Sequence, residues 1–291
     1  MRPRVLATAL TEAILALVIL AAGSGCSRSI AARAPALFPD PPDNSITFWG
    51  HACVYIDVNG FGIVTDPAFQ KTAHIRRRRI PAPPPSSYEH TGVILISHAH
   101  SDHLSVETIE TFPESAVILC PAPSAGYLRD LDRDVRAMKL GDEFRYPGGR
   151  IVAVAALHAG SRFGITNKAD GRALGYVVYT PESVIYYSGD TNYFRGFEEV
   201  GEKHRPDIAI LNVNGHLHSE EAVLAALATR ARTVIPIHFG AYGYLWGGAQ
   251  EVPRNYDEIE TVLEPVLLLL KPGESVPLSG RRSASGGSDA P

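Results

Sequence analysis

The stretch "SHAHSDHLS" places three histidines and an aspartate within six positions, directly after an apolar run. Its metal-ligand side chains are His98, His100, Asp102 and His103. Residues two apart in an extended segment point the same way, so His98 and His100 can reach one cation together. The chain then turns toward a helix at Ser105, which re-aims Asp102 and His103. We expect this second pair to serve a second cation beside the first.

Three further polar residues stand where apolar strands end: His158 in "AALHAG", Asp190 in "YSGDT" and His238 in "PIHFG". Each is commonly a structural residue when it occurs alone. The pattern H-x-H-x-D-H, however, arises by chance in only about one chain in a thousand, which makes the dispersed residues candidate ligands. We expect one ion to bind His98, His100 and His158, and the other to bind Asp102, His103 and His238. Asp190 would bridge the two ions.

The elements that must position these residues are short apolar strands interleaved with helices. Strands are predicted at "ITFWG", "ACVYIDV", "FGIVT", "VILIS", "AVILC", "IVAVAAL", "LGYVVYT", "SVIYYS" and "DIAILNV", with a hairpin turn at the "NG" of 59–60. Helices are predicted at 105–112, 220–231 and 255–268, the first with Ser105 as its N-cap. This alternation indicates an α/β fold in which helices cover a layered sheet core.

The two ends of the chain have a different composition. Residues 1–25 combine a basic start with a ten-residue apolar run, which predicts a secretion signal. The following "GSGC" resembles the end of a bacterial lipoprotein signal, so we expect lipidation at Cys26, export to the periplasmic or envelope side and a membrane tether. An ordinary secretion signal cut nearby, or an uncleaved anchor, is the alternative. Residues 26–43 are expected to be a flexible tether, 44–278 the folded domain and 279–291 a disordered tail.

The bulk composition limits the classes of partner that we expect for this chain. The 291-residue chain is 45% hydrophobic with a formal net charge of -4, which argues against a nucleic-acid partner. Cys53 and Cys120 lie in apolar runs and are expected to be buried free thiols, with a disulfide as the alternative. The arginine run at 76–79 is interpreted as a solvated loop, with contact to anionic head groups or phosphate as the alternative. The oligomeric state stays open.

The order H-x-H-x-D-H, His, Asp, His resembles the metallo-β-lactamase superfamily of binuclear hydrolases. This resemblance implies a four-layer αββα sandwich with the metals at the sheet edge. The stretches "ITFWGHACVYIDVNGFGIVTDPAF", "RRRRIPAPPP", "GDTNYFRGFEEVGE" and "PIHFGAY" resemble, more closely, the branch of N-acyl-phosphatidylethanolamine phospholipase D and L-ascorbate-6-phosphate lactonase. His51 and Asp66 match positions near the site of that branch and are expected to orient ligand imidazoles. An ordinary turn aspartate is the alternative for Asp66.

The expected activity is metal-assisted hydrolysis by two divalent ions, with Zn²⁺ expected and Mn²⁺ or Fe²⁺ as alternatives. A small-molecule or lipid substrate with an ester-type bond, preferably a phosphodiester or phospholipid, is expected; a lactone is the alternative. Asp102 would orient the nucleophile, His216 would reach the substrate or its oxyanion, and His218 would begin a helix as an exposed residue. A non-catalytic metal-binding lipoprotein is the alternative from another class.

Overall fold

The computed structural model describes residues 37–73, 76–160, 162, 171–213, 216–217, 219–244 and 267–279. The predicted signal sequence, the lipid attachment at Cys26, His218 and the tail from 280 onward lie outside these residues, as does the predicted helix at 255–268 up to residue 266. Among the described residues, no helix has the length and apolar character needed to cross a bilayer.

The described residues form strands and short helices whose bounds are as follows. The strands are β1 (Ser45–Gly50), β2 (Cys53–Val58), β3 (Phe61–Thr65), β4 (Thr72–Ala73), β5 (Arg76–Arg78), β6 (Thr91–Leu95), β7 (Val117–Pro121), β8 (Val135–Met138), β9 (Glu143–Tyr146), β10 (Gly149–Ala155), β11 (Leu174–Tyr179), β12 (Val184–Tyr187), β13 (Ile208–Asn212), β14 (Thr233–Ile237), β15 (Tyr242–Tyr244) and β16 (Ser275–Pro277). The α-helices are α1 (Val106–Ile109), α2 (Ala122–Leu128), α3 (Gly196–His204) and α4 (Ser219–Thr229).

The strands assemble into two large sheets and a small one. The first has the order β16-β1-β2-β3-β6-β7-β8, the second β14-β13-β12-β11-β10-β9, and the third β15-β5-β4. Helix α2 packs on β7 and β8, whereas α3 and α4 pack on each other and on the second sheet. Ile109 of α1 belongs to the same buried cluster as Ile94 of the first sheet. The predicted four-layer αββα sandwich is therefore confirmed.

The main core lies between the two large sheets. It joins residues of the first sheet, such as Ile56 and Ile63, to residues of the second, such as Tyr176 and Val178. A second buried cluster covers the outer face of the first sheet. Phe38 is buried in it, so packing begins before the predicted domain start at residue 44. The boundary itself stays a prediction.

Most local predictions agree with the described structure, and one helix is shorter than expected. The "NG" turn has positive φ at both positions, as a two-residue hairpin turn requires, and it joins β2 to β3. Ser105 caps α1 by accepting a hydrogen bond from the Thr108 amide. The helix ends at Ile109 rather than at residue 112. Pro113 accounts for the non-helical state of Phe112, because a residue that precedes proline disfavours the α conformation.

The arginine run departs from the prediction of a solvated loop. Residues 76–78 form β5, and alternate side chains of a strand point to opposite sides. Arg77 is exposed, whereas Arg78 is buried and Arg76 is half-buried. The loop prediction fails because it treated the four charges as equivalent. The predicted burial of Cys53 and Cys120 is confirmed, and both thiols are free.

Candidate metal centre

Strand direction brings the predicted ligands to one edge. Strands β12, β13 and β14 are mutually parallel, and β10 runs the same way because two antiparallel pairings separate it from β12. In the first sheet, β3 and β6 are parallel. The carboxyl ends of these strands are where sites form in open sheets. The seven candidates follow β6, β10, β12 and β14.

The first group of side chains is His98, His100, His158 and Asp190. Their ligand atoms all lie within 4.8 Å of one another. His158 Nε2 is 3.2 Å from His100 Nδ1, and His98 Nε2 is 3.8 Å from Asp190 Oδ2. Burial lowers the pKa of His158 to about 3 and the pKa of His98 well below its usual value. Both imidazoles are therefore neutral near pH 7 and offer lone pairs.

The second group is His51, Asp102, His103 and His238, whose ligand atoms also lie within 4.8 Å of one another. His103 Nε2 is 3.2 Å from His238 Nε2. His238 Nε2 is 4.0 Å from Asp102 Oδ2. The sequence predicted three of these side chains as ligands and assigned His51 to a supporting role. His51 lies in the group, but its Nε2 is 3.1 Å from Asp102 Oδ2 and donates a hydrogen bond to it, so this nitrogen supports Asp102 and offers no lone pair to a cation.

Asp190 lies between the two groups. Its Oδ2 is 3.2 Å from His103 Nε2 and 3.9 Å from His158 Nε2, while its Oδ1 is 3.5 Å from His238 Nε2. Asn212 donates a hydrogen bond to Oδ1 from its side-chain amide. Burial would raise the pKa of Asp190, but the neighbouring histidines, His103 first, outweigh it and hold that pKa well below its usual value. The carboxylate is thus ionised and has an oxygen near each group.

These distances and donor types fit divalent cations. Four ligands held 2.0–2.1 Å from a tetrahedral ion lie about 3.3 Å from one another. The His100–His158 and His103–His238 nitrogens are each 3.2 Å apart, a separation that a shared cation explains. Among the described residues, the fully buried His98 Nε2 has no hydrogen-bond partner. A buried nitrogen without a partner is costly unless something occupies its lone pair.

Asp66 supports the centre through the hydrogen bonds of its side chain. Its carboxylate accepts hydrogen bonds from the Ser97 amide (2.7 Å), the Ser97 hydroxyl (2.5 Å) and the Tyr187 hydroxyl. It also lies 2.7 Å from His103 Nδ1. The Nδ1–H of His103 donates to this carboxylate, and the Nε2 of the same ring faces Asp190. The expectation that Asp66 orients a ligand imidazole matches this geometry.

Asp102 receives two donors on one oxygen. His51 Nε2 and Arg76 Nη1 lie 3.1 and 3.0 Å from Asp102 Oδ2. Burial would raise the pKa of Asp102, but the hydrogen bond from His51 and the charges of nearby histidines hold it well below its usual value. His51 was predicted to orient a ligand imidazole, whereas its hydrogen bond holds the carboxylate of Asp102 instead. The contact with Arg76 was not predicted.

His216, the predicted substrate-facing histidine, borders the centre. Its Nε2 is 3.0 Å from Asp190 Oδ2, and its side chain is 21% exposed, in contrast to the fully buried His98. Burial would lower the pKa of His216, but the charge of Asp190 and their hydrogen bond outweigh it and raise that pKa. A partly exposed, protonatable side chain is suited to meet a substrate.

Backbone strain is concentrated at this edge. Among the described residues, seven non-glycine residues have positive φ, and three of them, His51, Asp66 and His238, belong to the centre. Such conformations cost free energy and persist where the surrounding structure enforces them. Two backbone hydrogen bonds provide that enforcement: the His51 amide donates to the Phe239 carbonyl and the His238 amide to the His51 carbonyl.

Four residues that contact the centre were not predicted individually from the sequence. Asn212 ends an apolar strand, so the same signal that found His158 and Asp190 could have found it. Arg76 was seen only as part of a charge run. Ser97 follows the end of β6 and Tyr187 is the last residue of β12, and no local signal distinguishes them from core residues.

The layered fold and the paired clusters of imidazoles and carboxylates define a metal-binding protein of the α/β sandwich class. A family model described as a beta-lactamase superfamily domain matches residues 62–239, more than half of the chain. The chain belongs to this superfamily.

Individual relatives agree with that assignment. A metal-dependent hydrolase of Exiguobacterium is 28% identical over 224 residues, covering 76% of this chain and 97% of the relative. The solved structure of a metallo hydrolase from Ignicoccus hospitalis aligns with a TM-score of 0.63 at 22% identity, covering 80% of this chain and 97% of the other. An isothiocyanate hydrolase from Delia radicum gut bacteria aligns with a TM-score of 0.63 at 19% identity, covering 80% and 98%. This protein is a metal-dependent hydrolase.

Proposed function

We propose that this protein hydrolyses an ester-type bond at a centre of two divalent cations, with a phosphodiester or phospholipid as the preferred substrate. The position of Asp190 carries the two-cation part of the proposal. One carboxylate within 4 Å of histidines from both groups is the arrangement expected of a bridging ligand. Zn²⁺ is the preferred metal because imidazole and carboxylate ligation suits it, with Mn²⁺ and Fe²⁺ as alternatives.

The side chains divide the work of such a reaction. Bound cations would supply a water of lowered pKa and polarise the target oxygen. Asp102, fixed by His51 and Arg76, orients the attacking water with its second carboxylate oxygen. His216 stands at the exposed border and donates a hydrogen bond to the oxygen that gains negative charge. Asp66 and Asn212 keep His103 and Asp190 in place.

A metal and activity measurement tests this proposal. The purified protein should contain about two equivalents of cation and hydrolyse a chromogenic phosphodiester. His100→Ala and Asp190→Ala should each lose metal and reduce kcat by about a thousandfold or more, since a cation supplies several kcal/mol of transition-state stabilisation. His90→Ala is the matched control, because His90 is an exposed histidine outside the centre. Substoichiometric metal, or a full rate in both ligand variants, would refute the two-cation hydrolase.

A substrate panel separates the alternatives. Phosphodiesters, lactones, thioesters and β-lactams would be compared on the metal-loaded protein, with an isothiocyanate added because a structural relative hydrolyses that class. A clear preference for lactones would replace the phosphodiester proposal with a lactonase. Rapid exchange of bound metal without turnover of any substrate would instead support a non-catalytic metal-binding lipoprotein.

A further inference from the structure

Arg76 brings a positive charge to the border of the centre. It lies on β5, the middle strand of the small sheet, opposite Tyr244 of β15. Its Nη1 is 3.0 Å from Asp102 Oδ2, and its side chain is 25% exposed. The guanidinium therefore contacts a predicted metal ligand on one side while remaining accessible to solvent.

Arg78 holds the strand that carries Arg76. The buried guanidinium of Arg78 donates to the carbonyls of Ala68 at 3.2 Å and Pro81 at 3.3 Å. It also lies against the rings of Phe69 and Tyr242, 5.1 and 5.8 Å from their centroids. Arg76 is thus placed before any ligand arrives, which reduces the ordering cost of binding.

The ion pair with Asp102 does not use all the hydrogen-bond donors of Arg76. The same oxygen of Asp102 already lies 3.1 Å from His51 Nε2. A guanidinium has five N–H donors in a planar fork, and a single carboxylate oxygen engages only one edge of it. That fork matches the geometry of phosphate and carboxylate oxygens better than any other side chain does. An arginine of this kind beside a hydrolytic centre is suited to an anionic substrate.

We propose that Arg76 binds an anionic, non-bridging oxygen of a phosphodiester substrate and so selects anionic over neutral esters. This inference rests on the proposed function and specifies its substrate class. Arg76 would hold the phosphoryl group beside Asp102, with the scissile bond directed toward the two groups of ligands. A neutral carboxyl ester has no charge for Arg76 to bind.

The test compares Arg76→Ala and Arg76→Lys on two substrates, bis(p-nitrophenyl) phosphate and the neutral p-nitrophenyl acetate. Loss of a charge-assisted hydrogen bond should raise KM for the phosphodiester about 10- to 100-fold. Turnover of the neutral ester should fall much less than turnover of the phosphodiester, since it loses only the contact of Arg76 with Asp102 and no anion contact. Arg76→Lys should recover part of the loss because it keeps the charge but not the fork. Arg77→Ala is the matched control, since Arg77 is its exposed neighbour on the same strand.

Two other kinetic outcomes would overturn the inference, and a third requires a binding measurement. Equal losses on both substrates would mean that Arg76 only positions Asp102, and unchanged KM for the phosphodiester would mean that it binds no anion; either result overturns the inference. If the wild type hydrolyses neither substrate, the proposed function fails by itself. Calorimetry with inorganic phosphate on the metal-loaded protein then decides: affinity about tenfold weaker in Arg76→Ala than in Arg77→Ala supports the anion site, and equal affinity refutes it.

Discussion

The Asp66 carboxylate supports the centre by accepting four hydrogen bonds. Ser97 contributes two donors, Tyr187 a third and His103 a fourth. Carboxylates that hold a ligand histidine in this way fix both its tautomer and its orientation. The turn before Pro67 sets the backbone of Asp66, but its side chain contacts the candidate ligand His103.

Asp66→Asn should therefore weaken metal binding about 10- to 100-fold while preserving the fold. Asparagine tolerates the positive φ of Asp66, so the substitution changes hydrogen bonding and leaves the turn intact. Competitive titration against a chelating dye measures the effect. Tyr187→Phe is the companion variant, which removes one donor of the four and should cost less. Unchanged affinity in Asp66→Asn would reduce Asp66 to a turn residue.

At the scale of elements, the ends of strands position the candidate ligands. Gly189 shows how closely two of these strand ends approach each other. Gly189 joins β12 to Asp190 with φ of +57°, and a Cβ built there would lie 2.6 Å from Ser97 Cβ. The close approach of the two sheets at this point is what places Asp190 opposite the His98 segment. A side chain at 189 would force them apart.

Gly189→Ala should destabilise the protein more than Gly141→Ala. Both glycines have positive φ, but a Cβ at Gly141 would meet nothing within 4 Å. Gly141→Ala should cost about 1–2 kcal/mol for the left-handed conformation alone. Gly189→Ala should cost about 1–3 kcal/mol more from overpacking and should also lower metal affinity. Urea unfolding of both variants provides the comparison, and equal costs would contradict the close approach.

The sequence predicted some of the residues that these elements position and missed others. Polar residues after apolar strands identified His158, Asp190 and His238, because strand ends in parallel sheets share an edge. The same logic does not reach Tyr187, because an aromatic residue that ends an apolar strand is typical of the core, yet its hydroxyl donates to Asp66. It also does not resolve a charge run such as 76–79, where strand pairing with β15 decides which arginines turn inward.

At the scale of the whole molecule, the centre gathers three buried carboxylates, Asp66, Asp102 and Asp190. Buried charges need partners, and cations bound to the native state stabilise it by mass action. The αββα layers followed from the sequence through family resemblance and strand patterning. The pairing order of the sheets did not, because nothing local distinguishes a central strand from its neighbours.

Metal removal should therefore lower the thermal stability of the whole domain. At a free cation concentration about a hundred times Kd, binding contributes about 2.7 kcal/mol. For a domain of this size that corresponds to a fall in Tm of about 5–10 °C on chelation. Scanning fluorimetry with and without chelator measures it, and added Zn²⁺ should restore Tm. Mg²⁺ is the control, since it prefers oxygen ligands in octahedral geometry. A Tm that is insensitive to chelation would argue against tight cation binding.

The paired main-chain bonds between His51 and the end of β14 have a practical consequence. They tie the two sheets together through main-chain atoms, so the spacing of the backbone at the centre does not depend on which side chains surround it. Libraries that randomise Arg76 and His216 should consequently leave this main-chain link intact. Selection on such libraries would then change which substrates are accepted while His51 and His238 keep their positions.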